Sequence, residues 1–95
     1  ELWTLTISGT FDTSFISGLS FSDLVINDIP APDMNDLDEI EESIYESLEG
    51  VATSIGTVSL TVEDDSANRR SFRATFSATT EAGAVTYNLL YVYSR

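Results

Sequence analysis

Apolar and polar residues alternate along three stretches of this 95-residue chain. The stretches are residues 1–11, 57–63 and 71–79, and a period of two is that of a half-buried β-strand. The apolar members are Trp3, Leu5, Ile7, Phe11, Val58, Leu60, Val62, Phe72, Ala74, Phe76 and Ala78. Most of the alternating partners are Ser or Thr. The pattern therefore predicts an antiparallel sheet with one face buried against the core and one face exposed to solvent.

One segment has the spacing of a helix instead. Asp36, followed three residues later by Glu39, is typical of an N-cap with a capping box. Apolar residues then recur at intervals of three and four, at Leu37, Ile40, Ile44, Leu48 and Val51. Gly50 is a suitable C-terminal stop. We expect an amphipathic helix that places this apolar stripe on the sheet.

The connections complete a predicted architecture. Residues 12–35 are irregular, with a short strand in 23–28 and an extended linker imposed by two prolines. Turn-forming residues at 64–68 and 81–83 predict a three-stranded meander, and Gly9 indicates a bulge or bend in the first strand. We predict one α+β domain over 1–95, with one helix on an antiparallel sheet of four or five strands in the order β-(β)-α-β-β-β. The helix is expected to cover the face that carries Phe72, Ala74 and Phe76.

The last strand, 84–95, is apolar on both faces, which favours a central position in the sheet. Tyr87, Leu89, Tyr91 and Tyr93 form one row, and Leu90 and Val92 the other. We expect the tyrosine row to lie on the face away from the helix and to form an oligomer interface. Residues 12–35 are the competing cover for that row.

Charge limits the classes of partner. Sixteen Asp and Glu residues face four arginines, with no Lys or His, for a net charge of −12. Such a surface repels nucleic acids and anionic membranes, and no apolar run is long enough to span a bilayer. Three interpretations of the acidity stay open: adaptation to high salt, docking to a basic protein partner, and solubility. An extracellular, virion or high-salt location fits this composition.

Acidic residues cover the polar side of the predicted helix and form a candidate partner-binding face. This face comprises Asp38, Glu39, Glu42, Glu46 and Glu49. Their like-charge contacts at i,i+3 and i,i+4 cost roughly 1–2 kcal/mol at low salt. Such a face either meets a basic partner or concentrated salt, or is simply solvated.

Three of the four cations, Arg69, Arg70 and Arg73, fall on one predicted hairpin. They are candidates for contact with an anion, because guanidinium groups bind carboxylates and phosphates bidentately. The alternative is pairing across the turn with the carboxylates Glu63, Asp64 and Asp65, at about 0.2–1 kcal/mol per pair.

Catalytic chemistry has few candidate residues. Without His, Cys or Lys there is no triad, thiolate, Schiff-base lysine or ordinary zinc site. The acidic run at 33–38 does not fit a calcium loop, since Ile44 takes the twelfth position, where a bidentate Glu is required. We therefore expect no cofactor, metal or catalytic residue.

The sequence favours a non-catalytic structural or interaction module that assembles through its sheet, as in a virion, extracellular assembly or multi-subunit complex. A monomeric acidic inhibitor that docks its helix on a basic partner is the alternative, and a small carboxylate-based hydrolase is a weaker one.

Overall fold

Seven antiparallel strands and one helix form the described part of the chain. The computed structural model describes residues 2–20, 22–48, 54–81 and 83–95. The strands are β1 (Trp3–Asp12), β2 (Leu19–Ser20), β3 (Leu24–Ile29), β4 (Ser54–Ile55), β5 (Ser59–Asp65), β6 (Arg69–Thr80) and β7 (Gly83–Ser94). The helix, α1, spans Leu37–Leu48. No helix within these residues is both long and apolar enough to cross a membrane.

The sheet is broken along both of its edges. Its order is β2-β1-β7-β6-β4, while β3 also pairs with β1, and β5 also pairs with β6. The short strands β2 and β3 therefore share one edge, and β4 and β5 share the other. The sheet contains seven strands, which is more than the four or five predicted. It is only five strands wide, because each edge position is shared by two short strands. The α+β class agrees with the prediction, with strands predominating.

Gly9 lies in the middle of an unbroken ladder. The β1–β7 register runs without a shift from Thr4 opposite Ser94 to Asp12 opposite Thr86. Of the predicted bulge or bend at Gly9, a bulge is absent from this pairing, and a register shift occurs instead between Trp3 and Leu5 in the β1–β3 pairing. Gly9 has a φ of 146°. A Cβ there would overlap the Asn88 carbonyl oxygen, so the glycine allows the two strands to approach each other.

The helix begins where the capping pattern predicts. The Glu39 N–H donates to Oδ1 of Asp36 at 3.1 Å, and the Ile40 N–H donates to the Asp36 carbonyl at 3.3 Å. This confirms Asp36 as the N-cap. The predicted stop and the last apolar position, Gly50 and Val51, lie outside the described residues.

The core lies between the helix and one face of the sheet, as predicted, although Leu37, the first residue of the predicted apolar stripe, is 42% exposed. Ile40 and Ile44 are 1% and 2% exposed, and they pack against Phe72, Phe76 and the fully buried Ala74. The small side chain of Ala74 lets the helix approach the sheet closely. The other members of the cluster are Met34, Val58 and Leu89.

The tyrosine row of the last strand lies on the helix side, so its expected position on the far face is wrong. The register sets Tyr91 opposite Phe72, Tyr87 opposite Phe76 and Leu89 opposite Ala74. Directly opposed residues share a face of the sheet. The row formed by Tyr87, Leu89, Tyr91 and Tyr93 is therefore partly or fully buried against the core cluster.

Candidate interaction surface

The single described helix covers only part of the face on which it packs. A helix with its side chains is about 10–12 Å wide, whereas five ranks of strands at ~4.8 Å spacing span roughly 19 Å. Residues from β1 and β3 therefore extend beyond the width of the helix, although Trp3 and Leu5 of β1 are buried, at 3% and 5% exposed. This uncovered part of the face is the uncovered strip.

Two hydrogen bonds join the helical segment to the β4–β6 side of the sheet. The Tyr45 hydroxyl donates to the Gly56 carbonyl at 3.1 Å, next to β4. Ahead of the helix, Nη1 of Arg70 on β6 donates to the Pro32 carbonyl at 2.9 Å. The Tyr45 bond ties the helix to the β4 side of the sheet, whereas Pro32, ahead of the helix, lines the same cavity as Leu5 and Ile26.

A cavity of about 200 Å³ follows the boundary between the helix and the uncovered strip. Its lining is formed by Leu5, Ile7, Ile26, Pro32, Ile40, Ser43, Ile44, Phe72, Tyr91 and Tyr93. The Ser43 hydroxyl already donates to the Glu39 carbonyl at 3.0 Å, and the other lining side chains are aliphatic or aromatic. The cavity therefore suits an apolar group more than an ion or a polar substrate.

The outer boundary of the uncovered strip is an apolar edge strand. Leu24, Val25 and Ile26 of β3 are 53%, 54% and 38% exposed. In the described part of the chain β3 pairs only with β1, so its other edge is open. Leu24 and Ile26 lie opposite Ile7 and Leu5 and therefore face the helix side, while Val25 faces the other side. Open apolar edges of this kind are sites of strand pairing.

The loop between β1 and β2 adds two exposed apolar residues at the same edge. Oγ1 of Thr13 accepts the N–H groups of Phe15 and Ile16 at 3.2 and 3.1 Å, which fixes the turn. Phe15 is nevertheless 90% exposed. Phe15 therefore does not cover the sheet, which is the role that the alternative prediction gave to residues 12–35.

Burial affects the ionisation of the tyrosines next to the cavity. Desolvation, with a smaller contribution from Tyr93, raises the pKa of Tyr91 to about 12. Desolvation also raises the pKa of Tyr93. The Tyr91 ring stacks on Phe72, with centroids 4.8 Å apart. These tyrosines act as neutral, largely apolar groups at physiological pH.

The three hairpin arginines pair with the hairpin carboxylates. Nε of Arg69 lies 3.2 Å from Oδ2 of Asp64, Nε of Arg70 lies 3.9 Å from Oδ1 of Asp65, and Nη2 of Arg73 lies 3.7 Å from Oε1 of Glu63. Hydrogen bonds from Ser71 and Arg69 hold the pKa of Asp64 below its ordinary value. Pairing across the turn is therefore confirmed.

The strand alternation separates Arg70 from Arg69 and Arg73, which lie four residues apart on the far face of β6. Arg70 points to the helix side, where its guanidinium lies 5.0 Å from the Trp3 ring centroid. Arg73 points to the far side and donates to Oδ1 of Asn88 at 2.8 Å. Contact of these arginines with an anion stays a prediction.

The acidic helix face is exposed where it is described. Asp38, Glu39, Glu42 and Glu46 are exposed, while Glu49 lies outside the described residues. Asp38, Glu41, Glu42 and Tyr45 line a shallow depression on the outer side of the helix. Within the described residues no group of three Asp or Glu side chains could hold a metal ion.

Sequence reasoning missed the apolar edge. Leu24–Ile26 is a run of three apolar residues without alternation, flanked by Asp23 and Asn27. Such a run in a short strand was the available signal for a segment that is apolar on both faces. Comparison of the chain with protein-family models, curated proteins and solved structures finds no match.

Proposed function

We propose that this chain is a non-catalytic, acidic interaction module that assembles with further copies through its sheet. The observation that carries the proposal is the position of the exposed apolar side chains. Five of the eight large apolar side chains that are exposed in the described residues lie in β3 or the β1–β2 loop, along one edge of the sheet: Phe15, Ile16, Leu24, Val25 and Ile26. The other three, Leu2, Leu37 and Val62, are dispersed over the N-terminus, the helix and β5. Clustered apolar exposure of this kind marks interaction sites on soluble proteins.

Burying the exposed apolar side chains of β3 contributes favourable free energy to association. A fully buried Val, Leu or Ile side chain contributes roughly 1.5–3 kcal/mol. Because Leu24, Val25 and Ile26 are 38–54% exposed, covering them completely contributes at most on the order of 2–4 kcal/mol per copy, from which the entropic cost of association is subtracted.

Charge opposes the association, which gives the proposal a distinctive salt dependence. Two copies with a net charge of −12 each repel one another at low ionic strength. At about 1 M salt the Debye length falls to roughly 3 Å, so the repulsion is screened. Salt also strengthens apolar contacts when its ions are excluded from the protein surface. Assembly is thus favoured in salty surroundings.

The test compares two substitutions at equally exposed residues on opposite edges. Ile26 in β3 and Val62 in β5 are both 38% exposed. The mass of the unmodified protein, Ile26→Glu and Val62→Glu is measured by light scattering after size-exclusion chromatography, in ~0.05 M and ~1 M NaCl. We expect the unmodified protein and Val62→Glu to associate in high salt, and Ile26→Glu to stay monomeric. A monomeric unmodified protein up to ~1 mM in high salt contradicts self-assembly, and equal masses for the two variants contradict the assigned surface.

The second candidate is an acidic monomer that docks its helix on a basic protein. The exposed carboxylates of Asp38, Glu39, Glu42 and Glu46 favour this reading, since the hairpin arginines pair with other carboxylates. Its salt dependence has the opposite sign, because screening weakens attraction between opposite charges. Binding to a polylysine probe that weakens with salt and is lost in Glu42→Lys would support it over self-assembly.

A further inference from the structure

We infer that two copies of this chain pair antiparallel through their β3 strands, with the two Val25 residues facing each other at the two-fold axis. This inference rests on the proposed function and specifies its partner and geometry. The open edge of β3 supplies unpaired backbone groups, and antiparallel addition of a strand satisfies them.

The register follows from the faces of β3. In a two-fold pair that continues one sheet with both helices on the same side, opposed residues must share a face. Leu24 and Ile26 face the helix side, and Val25 faces the other. Centring the pair on Val25 sets Leu24 opposite the partner's Ile26 and Val25 opposite the partner's Val25, so every apolar residue of the run meets an apolar residue.

The neighbouring centres of symmetry give poorer pairs. A pair centred on Leu24 sets Asp23 opposite the partner's Val25, and one centred on Ile26 sets Leu24 opposite the partner's Asp28. Each of these buries a carboxylate against an apolar side chain, which is unfavourable. The Val25-centred pair sets Asp23 opposite the partner's Asn27, so that a carboxylate meets an amide that can donate to it.

The length of the contact is limited at both ends. Asp28 has a φ of 58°, a left-handed conformation that interrupts regular extended pairing. Pro30 follows and has no N–H to donate, while Asp23 is a charged residue at the other end. The contact is therefore short and centred on Leu24–Ile26, and extended aggregation along β3 is disfavoured.

Charge exchange at residue 25 tests the register. Val25 is 54% exposed, so Val25→Glu and Val25→Lys are both expected to keep the monomer fold. Each variant alone sets two like charges opposite each other and removes two valines from the centre, which should weaken the dimer about tenfold or more. An equimolar mixture sets Glu opposite Lys and should restore a dimer, seen in native mass spectrometry as the mixed species. Val62→Glu and Val62→Lys, on the other edge, are the matched controls. Each should dimerise like the unmodified protein, and mixing them should give no preference for the mixed species.

The outcomes separate this inference from the proposed function. If the unmodified protein associates and Val25→Glu and Val25→Lys associate equally well, assembly stands and β3 pairing is overturned. If both variants are monomeric and their mixture stays monomeric, the Val25-centred register is overturned. A monomeric unmodified protein in ~1 M NaCl overturns both proposals. If a variant fails to fold, amide hydrogen exchange of the unmodified protein decides: protection of residues 24–26 must rise with protein concentration, and unchanged protection refutes the pairing.

Discussion

Replacing Gly9 by alanine tests how the two central strands are held together. A Cβ at Gly9 would overlap the Asn88 carbonyl oxygen and lie 3.0 Å from the Leu89 Cα. Both contacts are with backbone, which cannot rotate away as a side chain does. Alanine at this position therefore forces β1 away from β7 in the middle of their ladder.

The expected magnitude combines two effects. The φ of 146° lies in a region that is costly for any residue with a Cβ, at about 1–3 kcal/mol. Relieving the clash adds to this, so we expect Gly9→Ala to lower the free energy of unfolding by about 3 kcal/mol or more.

Gly18 is the matched control. Its φ is 73°, and a Cβ there would meet no heavy atom within 4 Å. Gly18→Ala therefore incurs only the left-handed conformational cost of about 1–2 kcal/mol, offset in part by the reduced entropy of the unfolded chain.

Urea denaturation followed by circular dichroism gives both free energies by linear extrapolation. A Gly9→Ala variant within about 0.5 kcal/mol of Gly18→Ala would refute the close approach of β1 and β7, provided that the urea m-values agree. The comparison is made at low protein concentration and low salt, so that association does not add to stability.

Three further predictions concern the helix, the tyrosines and salt. Ile44→Ala should lower the free energy of unfolding by about 2–5 kcal/mol because Ile44 is buried against the sheet. Glu46→Lys should be neutral or mildly stabilising because it replaces repulsion from Glu42 with attraction. Equal effects of the two substitutions in urea denaturation would contradict the assigned helix faces. Burial raises the pKa of Tyr91 to about 12. The free energy of unfolding is therefore unaffected by Tyr91 ionisation below pH ~10 and falls by up to about 2–3 kcal/mol between pH ~10 and ~12. Denaturation across this range should show a shallower decline for Tyr91→Phe, and an identical decline would argue against burial. The melting temperature should rise between ~0.05 M and ~1 M NaCl as carboxylate repulsion is screened, and an unchanged value beside an osmolyte control would contradict that repulsion.

The parts of the fold that local chemistry determines were predictable. The Asp36 cap and the spacing of Ile40 and Ile44 specify a helix start and a buried face without reference to the rest of the chain, and both agree with the structure. The arginine–carboxylate pairs were equally local, since the partners are separated by one turn. In each case the interacting groups lie within about ten residues of each other in the sequence.

The face of the last strand was not predictable from alternation. Since β7 is apolar on both sides, its pattern favours neither orientation, and the register with β6 and β1 decides. A shift of one residue would exchange the faces of Tyr91 and Val92. The register with β6 is set by a short connection, since Thr80 pairs directly with Gly83. Placing the turn one residue off is enough to exchange the faces, and the predicted turn at 81–83 already includes Gly83, the first residue of β7.

The uncovered strip was not predictable either, because it depends on the lateral position of the helix. Helix length and face can be predicted, but the lateral position of the helix over the sheet depends on tertiary contacts, which include the bonds from Tyr45 to Gly56 and from Arg70 to Pro32. These join residues 11 and 38 positions apart. The short strands β2 and β4 were not predicted for a similar reason. Each contains only two residues and is defined by its pairing with a neighbouring strand, β1 or β6.

The two edges of the sheet differ in a way that favours a closed pair over an open filament. The edge at β5 carries Glu63, Asp64 and Asp65 and a register shift between Val62 and Asp64, and both charge and irregularity discourage strand addition. The edge at β3 carries Leu24, Val25 and Ile26 and is open. If both edges accepted a strand, a heterologous contact between them would repeat without closing. With only the β3 edge receptive, each proposed pairing uses the receptive edge of both copies, and assembly through strand addition ends at the dimer.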